Sequence, residues 1–248
     1  MPKSFRLHRA WVLAAAVSVA ACAAPPVQDD TVVDVLFQSA ASAEQGAEYA
    51  AAAQHYQKLF ARDPENPVIV FALARNLRYS GAAAEATRLL RGAAAKIKAE
   101  PGFRLALGKS QLASGETRPA IANFKSALSA DPENWEIHST LGIALDLSDD
   151  FAAAQQSYRR ALALSPKNPS VLNNMAISLA LSGDLAGAIS TIKDAPQVAR
   201  HNPQIRQNLA LFYGIKGDVK KAKALAKIDL DDDAVAKNLE VYSQLRRK

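Results

Sequence analysis

Residues 135–168 read WEIHSTLGIALDLSDDFAAAQQSYRRALALSPKN, and this stretch decides the fold because its spacing recurs along the chain. Equivalent positions fall every 34 residues, so that six copies run without a gap from Val33, Pro67, Pro101, Trp135, Pro169 and Pro203. A period of this length marks a stacked array in which each copy is one supersecondary unit. The twentieth position of every copy is alanine (Ala52, Ala86, Ala120, Ala154, Ala188, Ala222), and the eighth is always small (Ala40, Ala74, Gly108, Gly142, Ala176, Ala210). Two helices approach closely only where side chains are small. The twenty-fourth position fills the space that remains, with Tyr56, Leu90, Phe124, Tyr158 and Ile192, Ala226 being the exception. The recurring residues therefore encode packing rather than chemistry, and they predict an all-α chain of about six helix-turn-helix copies.

Short turns separate the two helices of most copies, at Ser80-Gly81, Ser114-Gly115, Ser148-Asp149, Ser182-Gly183 and Lys216-Gly217. Glycine there suits the left-handed backbone that ends a helix. Pro64, Pro132 and Pro166 stop the second helix of their copies, because proline lacks the N–H that would continue the ladder. Lys98, Arg200 and Ala234 stand where that proline is missing, and Pro196 cuts the second helix of copy five short.

Leu141-Gly142, Phe151, Ala154, Tyr158, Ala161 and Pro166 lie at the offsets of the tetratricopeptide repeat (TPR) family, which copy four resembles most closely. The resemblance implies a superhelix over 33–230, closed by a capping helix over 231–248. It further implies that the first helix of each pair lines a concave groove, with positions two, five, nine, twelve and thirteen facing inward.

A different kind of segment precedes the repeats. Lys3, Arg6 and Arg9 lead into an apolar run from Trp11 to Ala21, well short of the ~20 residues that a permanent transmembrane helix needs. It reads as an export signal over 1–21. Val19-Ala20-Ala21-Cys22 resembles a bacterial lipobox, with valine in place of the usual leucine, and Cys22 is the only cysteine in the chain. Lipidation at Cys22 is the expectation, with residues 22–32 as lipidated N-terminus and tether. Ala23 follows the cysteine where aspartate would retain a lipoprotein in the inner membrane, so the resemblance implies the periplasmic face of the outer membrane.

Removing Lys3, Arg6 and Arg9 takes three charges from the formal +6 and leaves +3, too modest an excess to indicate a nucleic-acid partner. One cysteine permits no intramolecular disulfide. His55, His138 and His201 lie in three different copies without metal-ligand spacing, and no glycine-rich phosphate loop or nucleophile elbow occurs. Neither enzymatic activity nor a cofactor, metal or small-molecule substrate is expected.

Charge is uneven along the stack: copy one is net acidic through Asp34, Glu44, Glu48, Asp63 and Glu65, whereas copy two carries six basic residues against Glu85 and Glu100. On the groove-facing offsets copy two places Phe71, Arg75, Arg78 and Tyr79, a set suited to an acidic or aromatic peptide segment. A solvated helix face is the plainer alternative. Further along, Leu105, Leu112, Ile143, Leu147, Ile177, Leu181, Leu211 and Ile215 occupy the same offsets, accompanied by Asn173 and Gln207. Such a row is either covered by a partner segment or packed upon itself. Asn174 and Asn208 are expected to bond within their helix pairs. The lysine and asparagine with which some TPR proteins clamp a carboxylate tail are absent from positions five and nine of copies one and two.

Near the end, Arg206-Gln207-Asn208-Leu209-Ala210-Leu211, Ile228-Asp229-Leu230, Asp231-Asp232-Asp233 and Asn238-Leu239-Glu240-Val241-Tyr242 resemble the C-terminal region of TadD-type lipoproteins of the tight-adherence (Flp) pilus system. Asp232 or Asp233 is expected to cap the closing helix. The resemblance implies a pilotin-like scaffold that binds the secretin or another pilus-assembly subunit. An adaptor for a different envelope machine, serving a type IV pilus, polysaccharide export or a peptidoglycan hydrolase, is the alternative.

Overall fold

The computed structural model describes residues 29–197 and 201–247. Cys22, the leader and most of the tether lie outside the described residues, as does Arg200. Among the described residues there are thirteen α-helices and no strands. They form six pairs: α1 (Asp29–Gln45) with α2 (Tyr49–Phe60), α3 (Pro67–Tyr79) with α4 (Ala83–Ile97), and α5 (Phe103–Ala113) with α6 (Thr117–Ala130). The series continues with α7 (Trp135–Asp146) and α8 (Phe151–Leu164), α9 (Pro169–Leu181) and α10 (Leu185–Lys193), and α11 (Pro203–Lys216) and α12 (Val219–Ala226). A last helix, α13 (Asp232–Arg246), closes the stack against α11 and α12. First helices of successive pairs touch, α3 with α5, α5 with α7, α7 with α9 and α9 with α11, and so build one continuous inner face.

Local chemistry fixes the helix starts. Asn66, Asn134, Asn168 and Asn202 each accept a hydrogen bond through the side chain from an N–H of the following first turn, and α3, α7, α9 and α11 begin directly after them. Copy three has Glu100 in place of that asparagine, and α5 starts late, at Phe103, after Gly102 in the left-handed region (φ +85°). Second helices begin at position seventeen in every copy, where Asp150, Asp184 and Asp218 cap three of them. The residue two before each second helix has positive φ: Gly81, Gly115, Gly183 and Gly217, but also Ala47 and Asp149. Ala47 takes that conformation although Gly46 stands beside it, because the turn geometry, not the nearest glycine, selects the position.

The small and large positions meet as the sequence requires. All six alanines at position twenty are fully buried. A Cβ added to Gly108 would come within 2.6 Å of the Phe124 ring, and one added to Gly142 within 2.6 Å of Tyr158, both rings being completely enclosed. Each glycine thus lets the second helix of its own copy lie against the first.

Polar bonds tie one copy to the next. Asp146 accepts from the Tyr158 hydroxyl at 2.8 Å and from Ser178 of copy five at 2.6 Å. Burial raises its pKa above the usual carboxylate value, and the two hydroxyls hold that rise in check. Glu44 of copy one receives both Arg75 (2.6 Å) and Asn76 of copy two.

Three expectations need correction. Helix α1 begins at Asp29, ahead of Val33 and inside the stretch read as tether. Asp231 caps α13, accepting from the Ala234 N–H at 2.8 Å, while Asp232 and Asp233 fall in the first turn, where their charge complements the helix dipole. Asn208 donates to Asn173 at 2.8 Å, so the bond joins copies six and five and does not stay within a pair.

Two stability predictions follow from this geometry. Gly142→Val and Ala154→Leu should each destabilise by about 1–3 kcal/mol through overpacking, read as a lower thermal midpoint by circular dichroism. Ala47→Gly should instead stabilise by about 1 kcal/mol, since an L-residue in the left-handed region is strained and glycine is not. An unchanged midpoint in the first two variants would contradict the assigned contacts.

Candidate partner-binding groove

The inner face opens into two adjoining hollows along α3, α5 and α7. The first, about 480 Å³, has Val68, Phe71, Arg75 and Arg78 of α3 on one side and Leu105, Ala106 and Lys109 of α5 on the other. Gly102 forms its rim. Position two carries Val68, Glu136, Ser170 and Gln204 in copies two, four, five and six, whereas Gly102 leaves open space with nothing within 4 Å of where a Cβ would stand. The missing side chain and the late start of α5 together make the hollow. The second, about 470 Å³, is bounded by Tyr79, Leu112, Thr140, Ile143 and Leu147, and it shares Arg78 and Lys109 with the first.

Eight of the residues expected in the groove therefore meet there: Phe71, Arg75, Arg78, Tyr79, Leu105, Leu112, Ile143 and Leu147. Phe71 is half-buried against the core of copies one to three, and Leu105, Leu112 and Ile143 against that of copies three to five. Tyr79 (53% exposed) and Leu147 (63% exposed) remain open. Leu105, Leu112 and Ile143 each spend one edge on the core and line the hollows with the other, while Leu147 stays open. Leu181 is also exposed, farther along the stack.

The other four expected residues do not join these hollows. Ile177 and Leu211 pack against the core of copies five and six. Asn173 is buried and accepts from Asn208. Gln207 donates to Asp229 at 2.8 Å, beside the Arg206–Asp229 ion pair that fastens α11 to the turn before α13. That ion pair holds the Asp229 carboxyl below the usual range. These polar groups close the end of the stack.

Charge in the hollows is largely settled internally. Arg75 is bound by Glu44, so it does not stand free for an acidic partner as the sequence suggested. Lys109 pairs with Glu136 across α5 and α7. Arg78 makes no ion pair among the described residues, although the Lys109-bound Glu136 lines the second hollow with it. Its guanidinium lies 4.3 Å from the centre of the Tyr79 ring, which in turn rests 4.9 Å from that of Tyr49. Sequence reasoning missed Gly102, Lys109 and Glu136, although all three sit at groove-facing offsets. Their signal was positional, since Lys109 repeats the place of Arg75 one copy on. No cluster of three potential metal-ligating side chains occurs among the described residues, and His138 bonds the Pro132 carbonyl at 2.9 Å. No described helix is long and apolar enough to cross a membrane.

A stack of helix pairs with an open inner groove defines a helical-repeat interaction scaffold. Residues 105–169 and 147–211 each match a family model described as tetratricopeptide repeat, and with the architecture above they make this chain a tetratricopeptide-repeat protein. Solved structures with this fold include a thermophilic TPR protein of Thermus thermophilus (19% identity, TM-score 0.64), covering 73% of this chain and 98% of that one. A MamA protein matches at 15% identity and TM-score 0.53, over 82% of this chain and 98% of the other. A chain of the APC/C hetero-tetramer Cut9–Hcn1 matches at 15% identity and TM-score 0.67, over 87% of this chain and 46% of its own. Among curated proteins no sequence matches. At these identities the structural likeness speaks to the fold alone.

The two arginines should separate in experiment. Arg75→Glu sets two carboxylates together between copies one and two and should lower the thermal midpoint, whereas Arg78→Glu should leave it within error. Equal effects on the midpoint would show that the Glu44 pairing does not operate in solution.

Proposed function

We propose that this chain is a lipid-anchored scaffold at the periplasmic face of the outer membrane, where its groove captures a segment of the secretin or of another Flp pilus component. The observation that carries the binding role is the pair of adjoining hollows on α3, α5 and α7, apolar along their walls and basic where they meet. Catalysis has no part in this reading; TPR proteins generally act by holding other proteins. The anchor rests on Lys3, Arg6, Arg9, the short apolar run and the Val19-Ala20-Ala21-Cys22 sequence. Several acyl chains on one cysteine would hold the protein at the membrane, since each buried methylene contributes about 0.8 kcal/mol. Confinement at the membrane raises the effective concentration of any partner anchored there. The pilus assignment rests on the resemblance of residues 206–242 to TadD-type lipoproteins. If a different envelope machine is served, the groove and anchor keep their roles and the captured segment changes.

Cys22→Ser should abolish incorporation of a fatty-acid analogue and release the chain from the membrane fraction, while helical content by circular dichroism stays unchanged. In the same cells secretin multimers should fall. Persistent lipid labelling would overturn the anchor, and normal multimers with a released protein would overturn the pilus role.

A further inference from the structure

Arg78 stands on the boundary between the two hollows and lines both. On one side lie Phe71, Leu105 and Ala106; on the other lie Leu112, Ile143 and Leu147. The two other cations at the hollows are already matched, Arg75 by Glu44 and Lys109 by Glu136. Beside it in the second hollow stand Thr140 and a Glu136 already bound to Lys109. A guanidinium between mainly apolar walls, stacked on the Tyr79 ring, thus makes no ion pair among the described residues and leaves its forked donors unassigned. The apolar surfaces on either side cannot satisfy it, and they in turn present half-buried leucine and isoleucine edges to water.

We propose that the groove reads a peptide segment in which one carboxylate is flanked on each side by a bulky apolar side chain. The carboxylate meets Arg78. One apolar chain enters the hollow that Gly102 opens, and the other lies on Leu112, Ile143 and Leu147. This deepens the capture role proposed above and rests on it. Charge selects against other occupants: a basic segment would face Arg78 with Lys109 close by, and a purely apolar one would bury the guanidinium without a partner, at a desolvation cost. The pairing of Arg75 and Lys109 with carboxylates of the protein itself prevents the groove from acting as a general acid-binding surface. It confines the charge requirement to one position between two apolar ones.

The probe is a set of synthetic peptides with two leucines at stepped separations and a glutamate between them, each matched by versions with glutamine or lysine at that place. Binding is measured by fluorescence anisotropy on the full chain. The best glutamate peptide should bind about tenfold tighter than its glutamine counterpart, the lysine version should bind more weakly still, and added salt should erode the difference. Arg78→Gln should erase the preference for glutamate while leaving the glutamine peptide unaffected. Leu147→Ser, at an exposed site that folding does not need, should weaken all versions alike. Ala106→Phe, which fills the first hollow, should do the same, with circular dichroism reporting on its fold. Equal affinity for the glutamate and glutamine peptides would overturn this inference and leave the groove as a binding site. Failure of every peptide to bind would overturn both. Self-association of the wild-type chain that Leu147→Ser abolishes would make a second copy the occupant, and would also overturn the inference.

Discussion

Everything in the stack depends on a small residue where the two helices of a copy meet. Where Gly108 lies under Phe124 and Gly142 under Tyr158, no side chain separates the two helices of a copy, and the space for a Cβ is taken by the aromatic edge. Alanine holds the equivalent place at Ala40, Ala74, Ala176 and Ala210, all essentially without solvent contact. This close approach sets the distance and tilt of each pair, and repetition of one tilt turns the first helices into a common inner face. The same contact recurs at the end in a modified form, where Tyr242 of α13 covers Gly214 of α11 and so gives the last pair a neighbour.

Between copies, the apolar contacts are supplemented by a polar arrangement that uses equivalent places. An acid at position twelve, Glu44 or Asp146, accepts from a buried polar side chain at position ten of the next copy, Asn76 or Ser178. Such bonds lie in partly shielded surroundings, so the loss of one partner leaves the other unsatisfied. They also decide what the groove can offer. By drawing Arg75 toward copy one, the first of these links removes a charge from the inner face, and Lys109 is withdrawn in the same way by Glu136. Arg78 has no such neighbour within the described residues.

Much of the fold was legible because packing in a repeat is a function of position, and position is written directly into a period of 34. The turn at Ser148-Asp149, the buried alanines and the rings at position twenty-four all follow from that register. Partnerships between copies were harder to read: Glu44 and Arg75 are distant in sequence, and the tally of charges per copy showed that they were opposite without showing that they would meet. The helix caps illustrate a finer limit. Three consecutive aspartates at 231–233 all qualify chemically, and only the path of the chain leading out of α12 selects Asp231. Asn173 and Gln207 had the right offsets for the groove but are claimed by Asn208 and Asp229, contacts that depend on how the last copies bend toward α13.

The late start of α5 carries a consequence for how such a protein acquires specificity. A regular array offers the same surface at each step, and a ligand sliding along it would find no preferred place. Copy three breaks the regularity at two adjacent points, the missing asparagine cap and the bare backbone of Gly102, and the recess appears where the rule lapses. Because each copy leans on its neighbours, a lapse of this size is carried by the copies on either side without threatening the whole. In the capture role proposed above, recognition is addressed by an irregularity, and a joint lapse of cap and side chain at the start of another first helix would begin a second address.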